Sequence, residues 1–360
     1  MQYSTFAAID IGSYDVILEI FEISKKQGIR SVDKICHRME LGKDTYTLGK
    51  IRPEMEEELC RVLADFVRIM EGYRVDDYRA TASSAISEAS NSLYVLGKIH
   101  QLTGFSVTVL SNSEQRFLSY KALAAMEDNF NKIIEKGTAI LDLDGGSFQI
   151  SLFDKDALVT TQNIRMGSLR IRERLAGIQS ETEHYEEMVE ELIWNEVSSF
   201  KKMYLKDRKI ENIMLIGDVF TDSVYQNIEE KTTKIISREN FNTWYEKIIR
   251  QSPMELAVKL GIPLENASLM YPSAVIYKCL IDMMGAEHIW IPGVHMTRGI
   301  AYEYAEQMKL LKGGHNFEND ILMAAKNIGK RYAVNRPHVQ NLEMTALAMF
   351  DATKKMHGMK

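Results

Sequence analysis

The feature that most constrains this chain is an internal echo whose two copies lie roughly 130 residues apart. The β-rich runs Phe6–Ile11 and Val16–Ile23 flank Gly12, Ser13, Tyr14 and Asp15. Further on, Thr138–Leu141 and Gln149–Phe153 flank Asp142-Leu143-Asp144-Gly145-Gly146-Ser147. Each copy reads as an apolar strand, an Asp, a Gly/Ser turn and a returning apolar strand. A repeat this long indicates a duplicated domain pair, because solenoid units recur every ~20–50 residues.

Chain length agrees. At roughly 150 residues per domain, 360 residues make two domains with some left over. The chain is 45% hydrophobic and 26% charged, ordinary for a globular protein with full cores. Forty-four basic against fifty acidic residues give a net charge of −6, which argues against DNA binding. A local basic groove for a polyanion stays compatible with that balance. Three cysteines (Cys36, Cys60, Cys279) without a CxxC pair fit free thiols in a reducing compartment. Met1–Ile9 carries no signal-type core, and no window approaches 18 uninterrupted apolar residues. The expectation is a cytoplasmic protein that engages neither membrane nor DNA.

Between and after the two hairpins the pattern alternates. Pro53 opens a helix with apolar positions Met55, Leu59, Val62, Leu63, Phe66 and Met70. Strands are expected at Arg79–Ser84 and Phe105–Leu110, and helices at Leu93–His100 and Glu114–Met126. The second half continues with strand Ala157–Ile164, a helix from Glu181 to about Lys202, and strand Ile213–Ile216 running into Gly217. Helices follow through Met284, then strand His288–Ile291 and helix Met296–Leu311. Two tail helices, Phe317–Tyr332 and His338–His357, are separated by Asn335-Arg336-Pro337.

A Gly/Ser turn lets backbone N–H groups converge on an anion, and an Asp ending the preceding strand can hold Mg²⁺ against a phosphate. Two such turns across a cleft would form a phosphate clamp. These residues also carry a resemblance. Phe6-Ala7-Ala8-Ile9-Asp10-Ile11-Gly12-Ser13 resembles the opening strand and first phosphate loop of the exopolyphosphatase/guanosine pentaphosphate phosphohydrolase (Ppx/GppA) family, within the actin-like ATPase superfamily. Ser111-Asn112-Ser113-Glu114-Gln115-Arg116-Phe117 resembles that family's Ser-Gly-x-Glu-Glu-Ala-Arg-Leu segment with one residue fewer. Arg165-Met166-Gly167-Ser168-Leu169-Arg170 with Glu173, and Gly285-Ala286-Glu287 through Arg298-Gly299-Ile300, resemble two later segments.

The resemblance implies an α/β fold of two ribonuclease-H-like (actin-like ATPase) domains, 1–125 and 126–310, with an interdomain cleft and a helical tail at 311–360. That tail is similar to the start of an HD-type helical domain, although no His-Asp dipeptide occurs in the chain. The implied activity is phosphohydrolysis, releasing terminal phosphate from inorganic polyphosphate or guanosine pentaphosphate, with a homodimer as the family expectation. Implied roles are Glu114 as the base acting on water, and Asp10 and Asp142 as holders of Mg²⁺ or Mn²⁺. Gly12, Ser13, Gly145, Gly146, Ser147, Arg116 and Arg170 would contact phosphate, with Arg165 a further contact. An alignment without the one-residue gap would put Gln115, rather than Glu114, at the position of the base.

The chain also departs from the family pattern. Tyr14 and Asp15 replace Asn and Ser in the first loop, and Asp144, Phe148 and Gln149 replace Gly, Thr and Glu in the second. Ser87 stands where the family has an Arg. An added carboxylate at ~4 Å from a phosphate costs roughly 4 kcal/mol at an effective dielectric near 20, unless a cation intervenes. The alternative expectation is therefore a catalytically degenerate member that binds a phosphorylated ligand or nucleotide as a sensor or scaffold. An actin-like kinase would need a Gly-Gly adenosine loop, which Gly217-Asp218-Val219-Phe220 does not supply.

Overall fold

The structure is a computed structural model that describes residues 3–126, 130–176, 185–205, 208–217, 219–227, 234–311 and 315–359. The first half runs β1 (Ser4–Ile11), β2 (Asp15–Ser24), β3 (Gly28–Arg38), α1 (Leu41–Leu48), α2 (Pro53–Tyr73), β4 (Asp77–Ala82), α3 (Ser84–Ser87), α4 (Ser92–Thr103), β5 (Val107–Val109) and α5 (Asn112–Met126). The second runs α6 (Phe130–Ile134), β6 (Thr138–Leu143), β7 (Phe148–Asp154), β8 (Ala157–Ile164), α7 (Ser168–Leu175), α8 (Tyr185–Phe200) with a π-helical turn at Lys201–Leu205, β9 (Asn212–Gly217) and α9 (Val219–Asn227). It continues with β10 (Ile235–Ser237), α10 (Arg238–Ile249), α11 (Pro253–Leu260), α12 (Leu264–Met284), β11 (His288–Trp290) and α13 (Met296–Gln307). The tail holds α14 (Phe317–Arg331), α15 (Arg336–Ala352) and α16 (Lys354–His357).

The two sheets have the same topology. The first is ordered β3-β2-β1-β4-β5. The second is β8-β7-β6-β9-β11, extended at its far edge by β10. In each, the first three strands form an antiparallel meander, and the next two join parallel to its first strand. The duplication inferred from the turns thus extends to the whole sheet. Asp10 pairs with Ile17 and Thr81, and Asp142 with Gln149 and Ile216, so both acids occupy equivalent sheet positions.

Local sequence explains the elements that pack. In α2, Pro53 presets the first turn, Glu54 and Glu56 favour the positive helix end, and Leu59, Leu63, Phe66 and Met70 form the buried stripe. That stripe packs on the outer face of the first sheet with Val95 and Ile99 of α4. Against the second sheet, Leu169 of α7, Val189 and Ile193 of α8, and Tyr277 and Leu280 of α12 form the largest core.

The inner faces share two helices. Leu118 of α5 joins Ile300, Ala301 and Tyr304 of α13 against Phe6 and Phe21 of the first sheet, and Tyr120 and Leu123 of α5 face the second. A Cβ at Gly299 would run into the Leu118 backbone, so this crossing depends on glycine. Helix α13 lies on the first sheet although its sequence follows the second. Helix α14 packs against β8, where Asp320 accepts from the Leu158 N–H (3.3 Å). Helices α15 and α16 bury no residue.

Elements outside the sequence expectation include β3, α1, α3, α6, α7 and β10. The helix expected from Glu181 to Lys202 is described only over α8, and Glu181–His184 lie outside the described residues. No helix of the described residues is long and apolar enough to cross a membrane.

Candidate functional site

Both turns are four residues long and closed by the same hydrogen bond. Gly12 N–H donates to the Asp15 carbonyl, and Asp144 N–H to the Ser147 carbonyl, each at 2.9 Å. The turns touch: a Cβ on Gly145 would stand 3.0 Å from Ser13 Cβ. Hydroxyls of Ser13 and Ser84 each meet Tyr46 Oη, at 2.7 and 2.8 Å, and Tyr46 lies directly over Gly146. Arg170 binds the Gly146 carbonyl through Nε (2.8 Å), stacks on the Tyr46 ring (3.9 Å) and pairs with Glu88 (3.0 Å). Arg165 also pairs with Glu88, at 2.6 Å. Arg172 completes the seam, reaching Glu40 at 2.7 Å. Burial raises the Tyr46 phenol to about 12, with Asp144 adding to the shift, so it stays a neutral bridge.

Beside this seam lies a cavity of about 230 Å³ lined from both halves. Asp10, Asp15, Asp142, Asp144 and Asp222 face it against the two cations Lys34 and Arg38. Burial pushes the Asp10 carboxyl well up, reinforced by Asp15 and Asp144. Burial also raises Asp142, against the Ser119 hydroxyl that donates to it at 2.7 Å and the Arg116 charge. Asp144 is pushed up to about 7 by burial, with Asp142 and Asp15 adding to it and the Gly145 N–H opposing. Burial lifts Asp222 to about 6 and lowers His295 to about 4, and Nε2 of His295 lies 3.5 Å from Asp222. Asp15 is raised by burial but opposed by Arg38, whose Nη1 pairs with it at 3.1 Å.

The expected residues divide into three groups. Asp10, Asp142, Gly12 and Ser147 line the cavity. Ser13, Gly145, Gly146 and Arg170 lie in the seam, where their bonds are to protein. Glu114, expected as the base, is exposed. Its carboxylate accepts from Ser111 N–H (2.8 Å) and Ser111 Oγ (2.7 Å), closing a capping box at the start of α5, and these bonds lower its pKa. The next residue, Gln115, is buried and lines the cavity. The helix turn therefore gives the inward position to Gln115, as the ungapped alignment has it. Arg116 donates to Ser113 (3.2 Å) rather than lining the cavity, although its charge acts on Asp142.

Sequence reasoning missed Lys34, Cys36 and Arg38, the wall supplied by β3. They alternate along the strand and so share one face. Burial raises the Cys36 thiol to about 11, with neighbouring Asp15 adding to it, which holds it as the protonated thiol near neutral pH. Asp222 was also missed, and nothing in its local sequence distinguishes it.

The donor set suits a hard divalent cation. It consists of carboxylates whose charges oppose one another, together with Gln149, which is 6% exposed and whose Oε1 has no partner. No three His, Cys, Asp or Glu side chains among the described residues converge enough to cage an ion. That is compatible with Mg²⁺, which keeps waters and uses one or two carboxylates plus ligand phosphates.

Comparisons place this geometry among known proteins. A bifunctional 3-dehydroquinate synthase/phosphatase of Fusobacterium nucleatum is 21% identical over 310 residues, covering 79% of this chain and 44% of that protein. Exopolyphosphatase 1 of Mycobacterium leprae is 25% identical over 144 residues, 40% of this chain and 41% of that one. The chain thus spans less than half the length of these curated relatives. In fold, it resembles the crystal structure of an exopolyphosphatase from Cytophaga hutchinsonii, with a TM-score of 0.76 at 16% identity over 84% of this chain and 98% of that one. It also resembles the Aquifex aeolicus Ppx/GppA family member, with a TM-score of 0.69 at 17% identity over 85% and 99%. The profile of the Ppx/GppA phosphatase family matches residues 19–308. With the duplicated sheets and equivalent acids, that match identifies the chain as a member of the Ppx/GppA phosphatase family.

Proposed function

We propose that this chain is a metal-assisted phosphohydrolase that releases terminal phosphate from inorganic polyphosphate or guanosine pentaphosphate. The observation that carries the reading is the pair of acids, Asp10 and Asp142, at equivalent sheet positions and facing one cavity. The curated exopolyphosphatase relatives supply the substrate class.

Asp10 and Asp142 would hold Mg²⁺ or Mn²⁺, with Gln149 Oε1 as a neutral oxygen beside them. The metal would supply charge to offset the phosphoryl oxygens. The residues of the chain do the rest. Gly12 and Ser147 line the wall against which a phosphate would rest, while Lys34 and Arg38 add positive charge on the β3 side. Gln115 carries an amide, which cannot act as a base but can orient a water by accepting its hydrogen. In a loose phosphoryl-transfer transition state, positioning and charge dominate. That suits a cavity whose inward residue is a glutamine.

A binding-only member is the second reading. It is favoured by the outward Glu114 and by Asp144, whose carboxylate accepts the Gly145 N–H at 2.7 Å. Phosphate release from long-chain polyphosphate and from guanosine pentaphosphate, measured with Mg²⁺, Mn²⁺ and EDTA, separates the two. Metal-dependent release supports hydrolysis. Metal-dependent binding of either compound without release supports the sensor.

A further inference from the structure

Asp144 occupies the turn position that Gly12 holds in the first half, and it alters what that turn can bind. Its backbone N–H closes the turn, while its own Oδ1 accepts the neighbouring Gly145 N–H at 2.7 Å. A carboxylate oxygen therefore already satisfies a donor that a phosphate-binding turn would offer to its ligand. The turn cannot recoil from this arrangement. Ser168 N–H and Arg170 N–H hold the Asp144 and Gly145 carbonyls at 3.2 and 2.9 Å, and Gly167 packs against the same backbone. Nor is the charge cancelled locally. The acids Asp142 and Asp15 act on Asp144, and no Lys or Arg among the described residues forms an ion pair with it. Asp15 in the other turn, by contrast, is paired with Arg38. The cavity also contains the buried, unpartnered Oε1 of Gln149, a lone pair with no donor to meet it.

We propose that Asp144 is a specificity-determining residue which restricts the cleft to phosphate chains already complexed with a divalent cation and excludes the free polyanion. This rests on the reading of the cleft as an oligophosphate site. A free phosphate chain meets the Asp144 carboxylate, where a glycine at that position would leave the Gly145 N–H open to it. A metal-complexed chain brings the countercharge that both Asp144 and Gln149 Oε1 lack.

The test is binding of tripolyphosphate by calorimetry at pH 8, in EDTA and in excess Mg²⁺, to the whole chain and to Asp144→Gly and Asp144→Asn. In EDTA the unaltered chain should bind at least about tenfold more weakly than in Mg²⁺. Asp144→Gly should recover about tenfold or more in EDTA, because it restores an N–H and removes a charge. Asp144→Asn removes only the charge and should fall between them. It also serves as the variant of unchanged shape should Asp144→Gly fold poorly. Equal EDTA affinities in the unaltered chain and both variants, with Mg²⁺-dependent binding retained, would overturn the role of Asp144. Absence of tripolyphosphate binding by every form in Mg²⁺ would instead overturn the oligophosphate reading, and this inference with it.

Discussion

The turn Gly12–Asp15 and the turn Asp144–Ser147 share a length, a closing hydrogen bond and a place in their sheets, yet they distribute charge in opposite ways. The first has its acid at the fourth position, where Arg38 reaches it from β3 at 3.1 Å. The second has its acid at the first position, bonded to its own turn and without a cationic partner among the described residues. The difference shows which properties the duplicated sheet fixes. Strand pairing sets the backbone of both turns. Charge balance depends on what each half adds, and β8, the counterpart of β3, adds no such cation to the cavity wall. The second turn is left to be balanced by a ligand.

The most severe way to break this comparison is to disturb the backbone behind one turn. A methyl at Gly167 would collide with the Asp144 and Gly145 backbone, which cannot swing aside. Gly167→Ala should destabilise the fold by about 3 kcal/mol, read by urea denaturation. The corresponding support of the first turn is Gly42, whose added methyl would mainly meet the Tyr46 and Leu169 side chains, at 2.6 and 2.9 Å. Gly42→Ala should cost about 1–2 kcal/mol less than Gly167→Ala, and equal losses would contradict the asymmetry.

Acid titration sharpens the comparison further. Asp144 is raised to about 7 and Asp222 to about 6 from an ordinary 3.8, so the native state binds protons that the unfolded chain has released. This contribution is complete below pH 3.8 and is lost as pH rises through the folded values. Without metal, Asp144 alone should lower stability by about 2–3 kcal/mol between pH 5 and pH 8, with the more exposed and solvent-screened Asp222 adding less, and Asp144→Asn should flatten that slope. A stability rising over the same interval in EDTA would contradict the assignment.

The smallest effect concerns the contact between the turns. Tyr46→Phe removes the hydroxyl that joins Ser13 to Ser84 and should cost about 1–2 kcal/mol, detected as a lowered denaturation midpoint. No loss would mean that Ser13 and Ser84 satisfy each other, which their 3.5 Å separation makes a weak contact.

The duplicated hairpins and the paired acids Asp10 and Asp142 were legible because strand alternation and Gly/Ser turns are local signals. Strand β3 was not: it is an edge strand with exposed Ser31 and Val32, so no apolar alternation marks it, and its Lys34, Cys36 and Arg38 gain meaning only beside Asp15. Ser111-x-x-Glu114 is a capping-box pattern, which commits the glutamate to the helix start and turns Gln115 inward. The placement of α13 on the first sheet rests on contacts such as Phe6 stacking on Tyr304 at 4.1 Å, remote in sequence and invisible to periodicity.

The most direct test of the account is metal-dependent phosphate release by the unaltered chain, Asp142→Asn and Glu114→Gln, assayed in parallel on polyphosphate and guanosine pentaphosphate. The account predicts Mg²⁺-dependent release that falls about a hundredfold or more in Asp142→Asn and stays within about threefold in Glu114→Gln. Release abolished by Glu114→Gln and untouched by Asp142→Asn would contradict it, and would place the chemistry at the outer end of α5 rather than in the cleft.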